Sequence, residues 1–229
     1  MITMPPQEEQ TSTPDTIVLL HGIGHTRLNM LPIEWALSKR GYRIVNITYP
    51  SRQMFLADLG QYLDYQMINH NVWSTSRKVH FVTHSMGGLV VQNYLYHARD
   101  RLPRDKIGRV VMLAPPIRGS EVADLLRDFL PYRWIFGPAG QELTTDCRSE
   151  RPIAAPYELG IIAGNLGWPY IIAHFLFKGP HDGRVSVKST QHPDMKDHLV
   201  ISSTHSFISW NRKVHEHIAH FLMKGEFSR

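Results

Sequence analysis

The stretch Val79-His80-Phe81-Val82-Thr83-His84-Ser85-Met86-Gly87-Gly88-Leu89-Val90 decides the fold. A run of β-formers enters a serine, and a helical pattern starts at once behind it. That is the strand–turn–helix context in which a serine stands on a sharp, strained turn with its hydroxyl exposed. The pattern is G-x-S-x-G with one departure, Thr83 in place of the first glycine. Small residues flank such a serine because helix and strand must approach closely there. Gly87 and Gly88 supply that space on one side, and Thr83 is bulkier but still compact. A serine that merely caps a helix among glycines is the bland alternative.

Outward from this segment, six short apolar runs stand out: Ile17 to Leu20, Tyr42 to Thr48, Val79 to Thr83, Val110 to Ala114, Gly160 to Ala163 and Leu199 to Ser202. Several are continuous rather than alternating, as in strands buried on both faces. Helical patterns lie between them at Pro32 to Arg40, Phe55 to Asn69, Met86 to Ala98, Ser120 to Leu130 and Asn211 to Lys224. In the last, Val214, Ile218, Phe221 and Leu222 form one stripe, and His215, His217 and His220 read as solvated. The alternation predicts an α/β fold: a mainly parallel sheet of about six strands with helices on both faces. The expected organisation is a flexible arm over 1–15 and one domain over 16–229. Insertions at about 115–158 and 166–181 are too long for ordinary βα connections and follow strands whose carboxyl ends face the ligand crevice.

Composition narrows the class. The chain has 229 residues, 42% hydrophobic and 20% charged, enough for a packed core. Cys147 is the single cysteine, so an internal disulfide and a cysteine-based zinc site are excluded. The net charge is +5, but Lys and Arg are scattered in pairs such as Lys39-Arg40, so no nucleic-acid partner is expected. Leu159 to Phe177 holds no acidic or basic residue, yet its glycines, Asn165, Pro169 and His174 break it, so no transmembrane segment is expected. The N-terminal stretch lacks the pattern of a signal peptide. The expectation is a soluble, cytoplasmic chain, or one whose export signal has been trimmed. No metal site is expected, since HExxH is absent.

A serine nucleophile needs a base, an orienting carboxylate and two N–H groups aimed at the developing oxyanion. His205 falls just after the last apolar run and before the last helix, where an imidazole overhangs the sheet. Asp182, in His181-Asp182-Gly183, follows the fifth run, and Gly183 permits a turn that presents its carboxylate; Asp194 and Asp197 compete. An ordinary Asp-Gly turn is the bland reading. His21-Gly22-Ile23-Gly24 closes the first run and points to Ile23 as one oxyanion donor, with Met86, the residue after the serine, as the other. His84 adjoins Ser85 in sequence, but neighbours at such a turn are expected to diverge. Trp134 and Phe136, in the aromatic cluster of the first insertion, are candidate pocket residues.

Taken in order, HGIG, THSMGG, HDGRVSV and STHSF resemble the α/β-hydrolase superfamily, from about Ile17 to about Phe221, and most of all its compact lipase- and esterase-like members. The resemblance implies a sheet reduced from eight strands to six, a triad of Ser85, Asp182 and His205, and no cofactor. It implies a serine hydrolase that cleaves a small-molecule or lipid-like carboxylic ester through an acyl-enzyme. Acyl transfer or thioester cleavage by the same residues is the alternative; a non-catalytic binding protein on this fold is another. Oligomeric state is not readable from the sequence.

Overall fold

In the computed structural model, six parallel strands form one sheet in the order β2-β1-β3-β4-β5-β6. They are β1 Thr16–Leu20, β2 Arg43–Ile47, β3 Val79–His84, β4 Ile107–Leu113, β5 Leu159–Gly164 and β6 Asp197–Ile201. The described residues are 13–126, 128, 130–145, 157–168 and 177–229, with 131–133 and 135 described by backbone alone. Most of the expected arm, Cys147, Phe129, the side chains of Tyr132 and Ile135, and parts of both insertions therefore lie outside the described residues.

The continuous apolar runs are strands packed from both sides. Val18 and Leu20 of β1 point into one core, with Val79, Phe81, Leu89, Tyr94 and Val110. Ile17 and Leu19 point into the other, with Ile33, Leu37, Val111, Ile218 and Phe221. The first core is closed by helices α2 (Leu56–Asn69) and α3 (Met86–Ala98), and the second by α1 (Leu31–Ser38) and α6 (Arg212–Lys224). The alternation of side chains along each strand thus distributes apolar groups to both faces. Burial on this scale, at about 25 cal/mol per Å² of apolar surface, is what holds helices this short in place.

Beyond β4 the chain forms α4 (Glu121–Leu126) and α5 (Leu130–Gln141), the latter broken at Gly137, where φ is +60°. Both lie over the carboxyl end of the sheet. His215 departs from the solvated reading: it is buried in α6, and its Nε2–H donates to the Ser209 carbonyl at 2.9 Å. Among the described residues, no helix is long and apolar enough to cross a membrane.

Candidate active site

β3 ends at His84, and Ser85 takes φ +53° and ψ −126° before α3 begins. A positive φ in a residue with a Cβ costs of order 1–3 kcal/mol and persists only where surroundings impose it. Here the Ser85 N–H donates to the Leu113 carbonyl at 2.8 Å, and the Ser85 carbonyl accepts the Gly88 N–H at 3.0 Å. The turn is thus fastened to the end of β4 and to the first turn of α3.

The glycines after the serine are required by close approach. A Cβ on Gly87 would stand 2.7 Å from the His21 carbonyl oxygen and 2.8 Å from that of Leu20. One on Gly88 would meet Met112 Sδ at 2.9 Å and Thr83 Oγ1 at 3.2 Å. The bulk that Thr83 adds is therefore accommodated by the second glycine, which explains how the departure from the motif is tolerated. Thr83 Oγ1 is buried with no hydrogen-bond partner among the described residues.

The structure brings the three sequence-predicted side chains together. His205 Nε2 lies 3.0 Å from Ser85 Oγ, and His205 Nδ1 lies 2.7 Å from Asp182 Oδ2. All three residues are buried. The backbones are joined as well, because the His205 N–H donates to the Asp182 carbonyl at 2.9 Å. The other carboxylate oxygen, Asp182 Oδ1, accepts the N–H groups of Arg184 (3.0 Å) and Val185 (2.8 Å). Gly183, at φ +98°, makes the turn that aims both amides back at the carboxylate. Asp194 and Asp197 stand elsewhere. Asp197 opens β6 and accepts the Phe227 N–H and the Arg229 guanidinium.

The His21–Gly24 loop leans on the same serine. A Cβ on Gly22 would be 3.1 Å from Ser85 Cβ. The Tyr49 hydroxyl donates to the His21 carbonyl at 2.6 Å, and Ser51 Oγ accepts the Gly24 N–H at 3.0 Å. Neither the Ile23 N–H nor the Met86 N–H meets an acceptor among the described residues. Two donors beside a hydroxyl are what an oxyanion needs.

Ser85, His205, Ile23 and Gly183 line a cavity of about 250 Å³ whose walls are mostly apolar. Val122, Leu126 and Phe136 come from α4 and α5, and Leu143 from just beyond. Trp134 is not there. It is 92% exposed and borders a separate depression with Phe55, Leu130 and Pro138. The pairing of Trp134 with Phe136 as pocket residues is corrected accordingly. The two residues stand two positions apart in α5, about 200° around the helix, and so face different ways.

Sequence reasoning set His84 aside and passed over His25 and Arg184, and all three also line the cavity. The His84 ring turns towards the base: its Nε2–H donates to the His205 carbonyl at 3.0 Å, and the ring centroids are 4.9 Å apart. Burial first, then the neighbouring His205, holds its pKa well below that of a free imidazole. Burial and the Arg184 charge also lower that of His25. Arg184 would have been found from its place two residues after Asp182, inside the turn that binds the carboxylate. Among the described residues no three His, Cys, Asp or Glu side chains gather into a metal-binding group.

Comparison with known families agrees with this fold. The model of the alpha/beta hydrolase family matches residues 17–198. The chain belongs to that family. The matched span of this alpha/beta hydrolase includes Ser85 and Asp182 and stops short of His205. The mature lipase BlEst2 of Bacillus licheniformis superposes with a TM-score of 0.73 at 21% identity, over 96% of this chain and 95% of that one. The metagenomic carboxyl esterase MGS0156 gives 0.65 at 17% identity, over 89% and 68%. The RedJ thioesterase of Streptomyces coelicolor gives 0.62 at 11% identity, over 98% and 96%. At these identities the likeness is one of fold. No curated protein matches the sequence.

Proposed function

We propose that the protein is a serine hydrolase that cleaves carboxylic esters through an acyl-enzyme. The observation that carries this reading is the continuous chain from Ser85 Oγ through His205 to Asp182, on the floor of an apolar cavity. His205 Nε2 takes the hydroxyl proton as Ser85 Oγ attacks the ester carbonyl carbon. The N–H groups of Ile23 and Met86 hold the tetrahedral oxyanion. Asp182 keeps the proton on Nδ1, so that Nε2 stays free to accept, and stabilises the imidazolium that forms. The imidazolium then protonates the departing alcohol. Water, activated by His205, cleaves the acyl-enzyme and frees Ser85.

The apolar walls suit an acyl or alcohol group of modest length rather than a charged one. Lipase, esterase and thioesterase among the structural relatives are consistent with oxygen and sulfur esters alike, and thioester cleavage or acyl transfer would use the same residues. The domain reading extends this proposal: one catalytic domain over 16–229, an N-terminal arm over 1–15, and the first insertion building the pocket wall with Val122, Leu126, Phe136 and Leu143.

A fluorophosphonate probe followed by peptide mapping tests the nucleophile: label on Ser85 is expected, and an unlabelled, folded protein would leave a binding module as the better account. A panel of p-nitrophenyl esters and acyl thioesters, with alcohol acceptors added, separates hydrolase, thioesterase and transferase.

A further inference from the structure

Away from the cavity, five exposed large apolar groups cluster on two adjoining elements. Leu28, Leu31 and Trp35 recur at spacings of three and four residues through the 3-10 turn Arg27–Met30 and α1, so they share one face. All three are exposed, Trp35 at 62%. Opposite them runs the 3-10 segment His205–Trp210, which packs against both the turn and α1. Its inward residues are His205, Ile208 and Ser209, while Phe207 (66%) and Trp210 (57%) point to solvent. Soluble monomers rarely leave two tryptophans, a phenylalanine and two leucines outward in one region without a use for them.

The charge around this face is predominantly basic. Lys39 Nζ sits 3.5 Å above the Trp35 ring. Arg27, Arg212 and Lys213 are exposed on the same two elements and at the start of α6. The acidic groups nearby are engaged: Glu216 pairs with Arg40 at 2.5 Å, and Glu34 accepts from Asn46 at 2.6 Å. Indole rings fringed by lysine and arginine are the chemistry of the interface between an anionic headgroup layer and acyl chains. Both elements also lead along the chain into the cavity. His205 begins the segment that carries Phe207 and Trp210, and cavity-lining His25 precedes Arg27 by two residues.

We propose that the face formed by Leu28, Leu31, Trp35, Phe207 and Trp210 docks the protein on an anionic lipid surface. Docking there sets the mouth of the Ser85 cavity beside the bilayer, so that an ester with a membrane-held acyl chain reaches the serine without crossing bulk water. That consequence rests on the ester-hydrolase reading; the docking itself does not.

The full chain is to be sedimented with vesicles of phosphatidylglycerol and phosphatidylcholine, and with phosphatidylcholine alone. The expected result is binding to the anionic vesicles that weakens as salt is raised. Trp35→Ser with Trp210→Ser should reduce partitioning on the order of tenfold or more, and Lys39→Glu with Lys213→Glu should abolish the preference for phosphatidylglycerol. Turnover of the water-soluble ester p-nitrophenyl acetate should stay within about twofold in Trp35→Ser, which touches no reacting group. If the double tryptophan variant does not fold, Trp35→Ser and the charge variants carry the comparison. Absence of vesicle binding at low salt, or equal binding by parent and variants, overturns the proposal. So does a dimer in sedimentation velocity that the tryptophan variants convert to monomer while vesicles leave it intact, because the face would then belong to a second copy. Vesicle binding without turnover of any ester sinks the hydrolase reading alone; turnover without vesicle binding sinks the docking surface alone.

Discussion

His84 Nε2–H donates to the backbone carbonyl of His205 at 3.0 Å, so the residue before the serine holds the main chain of the imidazole that faces it. His84→Phe would remove this hydrogen bond, worth about 0.5–1.5 kcal/mol. If the imidazole drifts as a result, kcat should fall on the order of ten- to a hundredfold with KM little changed. His84→Gln, which can still donate, should recover most of the loss. Equal damage in both variants would mean that the ring matters for packing rather than for the hydrogen bond.

Asp182→Asn should impair turnover through the wrong tautomer. Asp182 Oδ1 is committed to the Arg184 and Val185 amides, so an asparagine oxygen takes that place and its NH₂ faces His205 Nδ1. Nδ1 must then accept, the ring proton moves to Nε2, and the ring can no longer take the Ser85 proton. A loss on the order of a thousandfold or more is expected, comparable with Ser85→Ala or His205→Ala. Asp194→Asn and Asp197→Asn should leave the rate nearly intact. A crippled Asp194→Asn enzyme would move the acid to another loop.

The glycines behind the serine should differ sharply in tolerance. A Cβ on Gly87 collides with two backbone carbonyls, which cannot give. Gly87→Ala should therefore cost about 3 kcal/mol or prevent folding. A Cβ on Gly88 meets the end of a flexible methionine, Met112, and Gly88→Ala should cost about 1 kcal/mol. Thr83→Val removes an unpartnered buried hydroxyl and should raise stability by about 1 kcal/mol. Urea midpoints of the three variants check the order.

Acid should unfold the protein through histidines held neutral. His80 is buried, its Nδ1 accepts the Arg109 N–H at 2.9 Å, and burial brings its pKa down to about 4 despite the attraction of Asp15. His21, whose Nδ1–H donates to the Gly22 carbonyl while Nε2 accepts the Tyr49 N–H, is brought to about 4 for the same reason. The unfolded chain binds these protons near pH 6.5, so stability is intact above that pH and declines as pH falls towards 4. Each site contributes a slope of about 1.4 kcal/mol per pH unit within that window. His80→Asn, which keeps an acceptor for Arg109 but cannot titrate, should flatten the urea midpoint between pH 6 and pH 4.5 by about one site's share. An unchanged slope would place the acid sensitivity elsewhere.

Sheet and helices were legible because buried parallel strands leave continuous apolar runs, and helical patterns of the right length separate the first four of them. Ser85 was legible for a related reason: only a tight strand-to-helix turn needs small residues on that side of a serine. Asp182 and His205 could be placed by chain order, with the Gly183 turn as local support. The rest depended on partners distant in sequence. His215 looked solvated because the stripe of α6 omits it, yet the Ser209 carbonyl satisfies its ring and allows it inside. His84 was set aside on the expectation that neighbours diverge. In fact the sharp turn at Ser85 brings the loop of His205 over both residues. Trp134 was misjudged because apolar character alone does not say which side of a helix a residue occupies.

That difference in direction makes the last prediction discriminating. Phe136 borders the cavity that holds Ser85, with Val122, Leu126 and Leu143, whereas Trp134, two residues away, faces solvent. Phe136→Ala enlarges a cavity of about 250 Å³ at its wall. Each methylene that an acyl chain buries contributes about 0.8 kcal/mol, close to fourfold in kcat/KM where the contact is made in the transition state. The parent should therefore gain rate from acetate to butyrate and level off once the wall is reached. Phe136→Ala should carry the gain to longer esters, such as octanoate, while losing some rate on acetate. Trp134→Ala should leave the ratio of octanoate to acetate within about twofold of the parent, since it removes no cavity wall. Relative rates with p-nitrophenyl acetate, butyrate and octanoate decide the matter. A shift in Trp134→Ala alone would put the acyl chain in the outer depression beside Phe55 and Leu130, and Phe136 would then be packing beneath the loop.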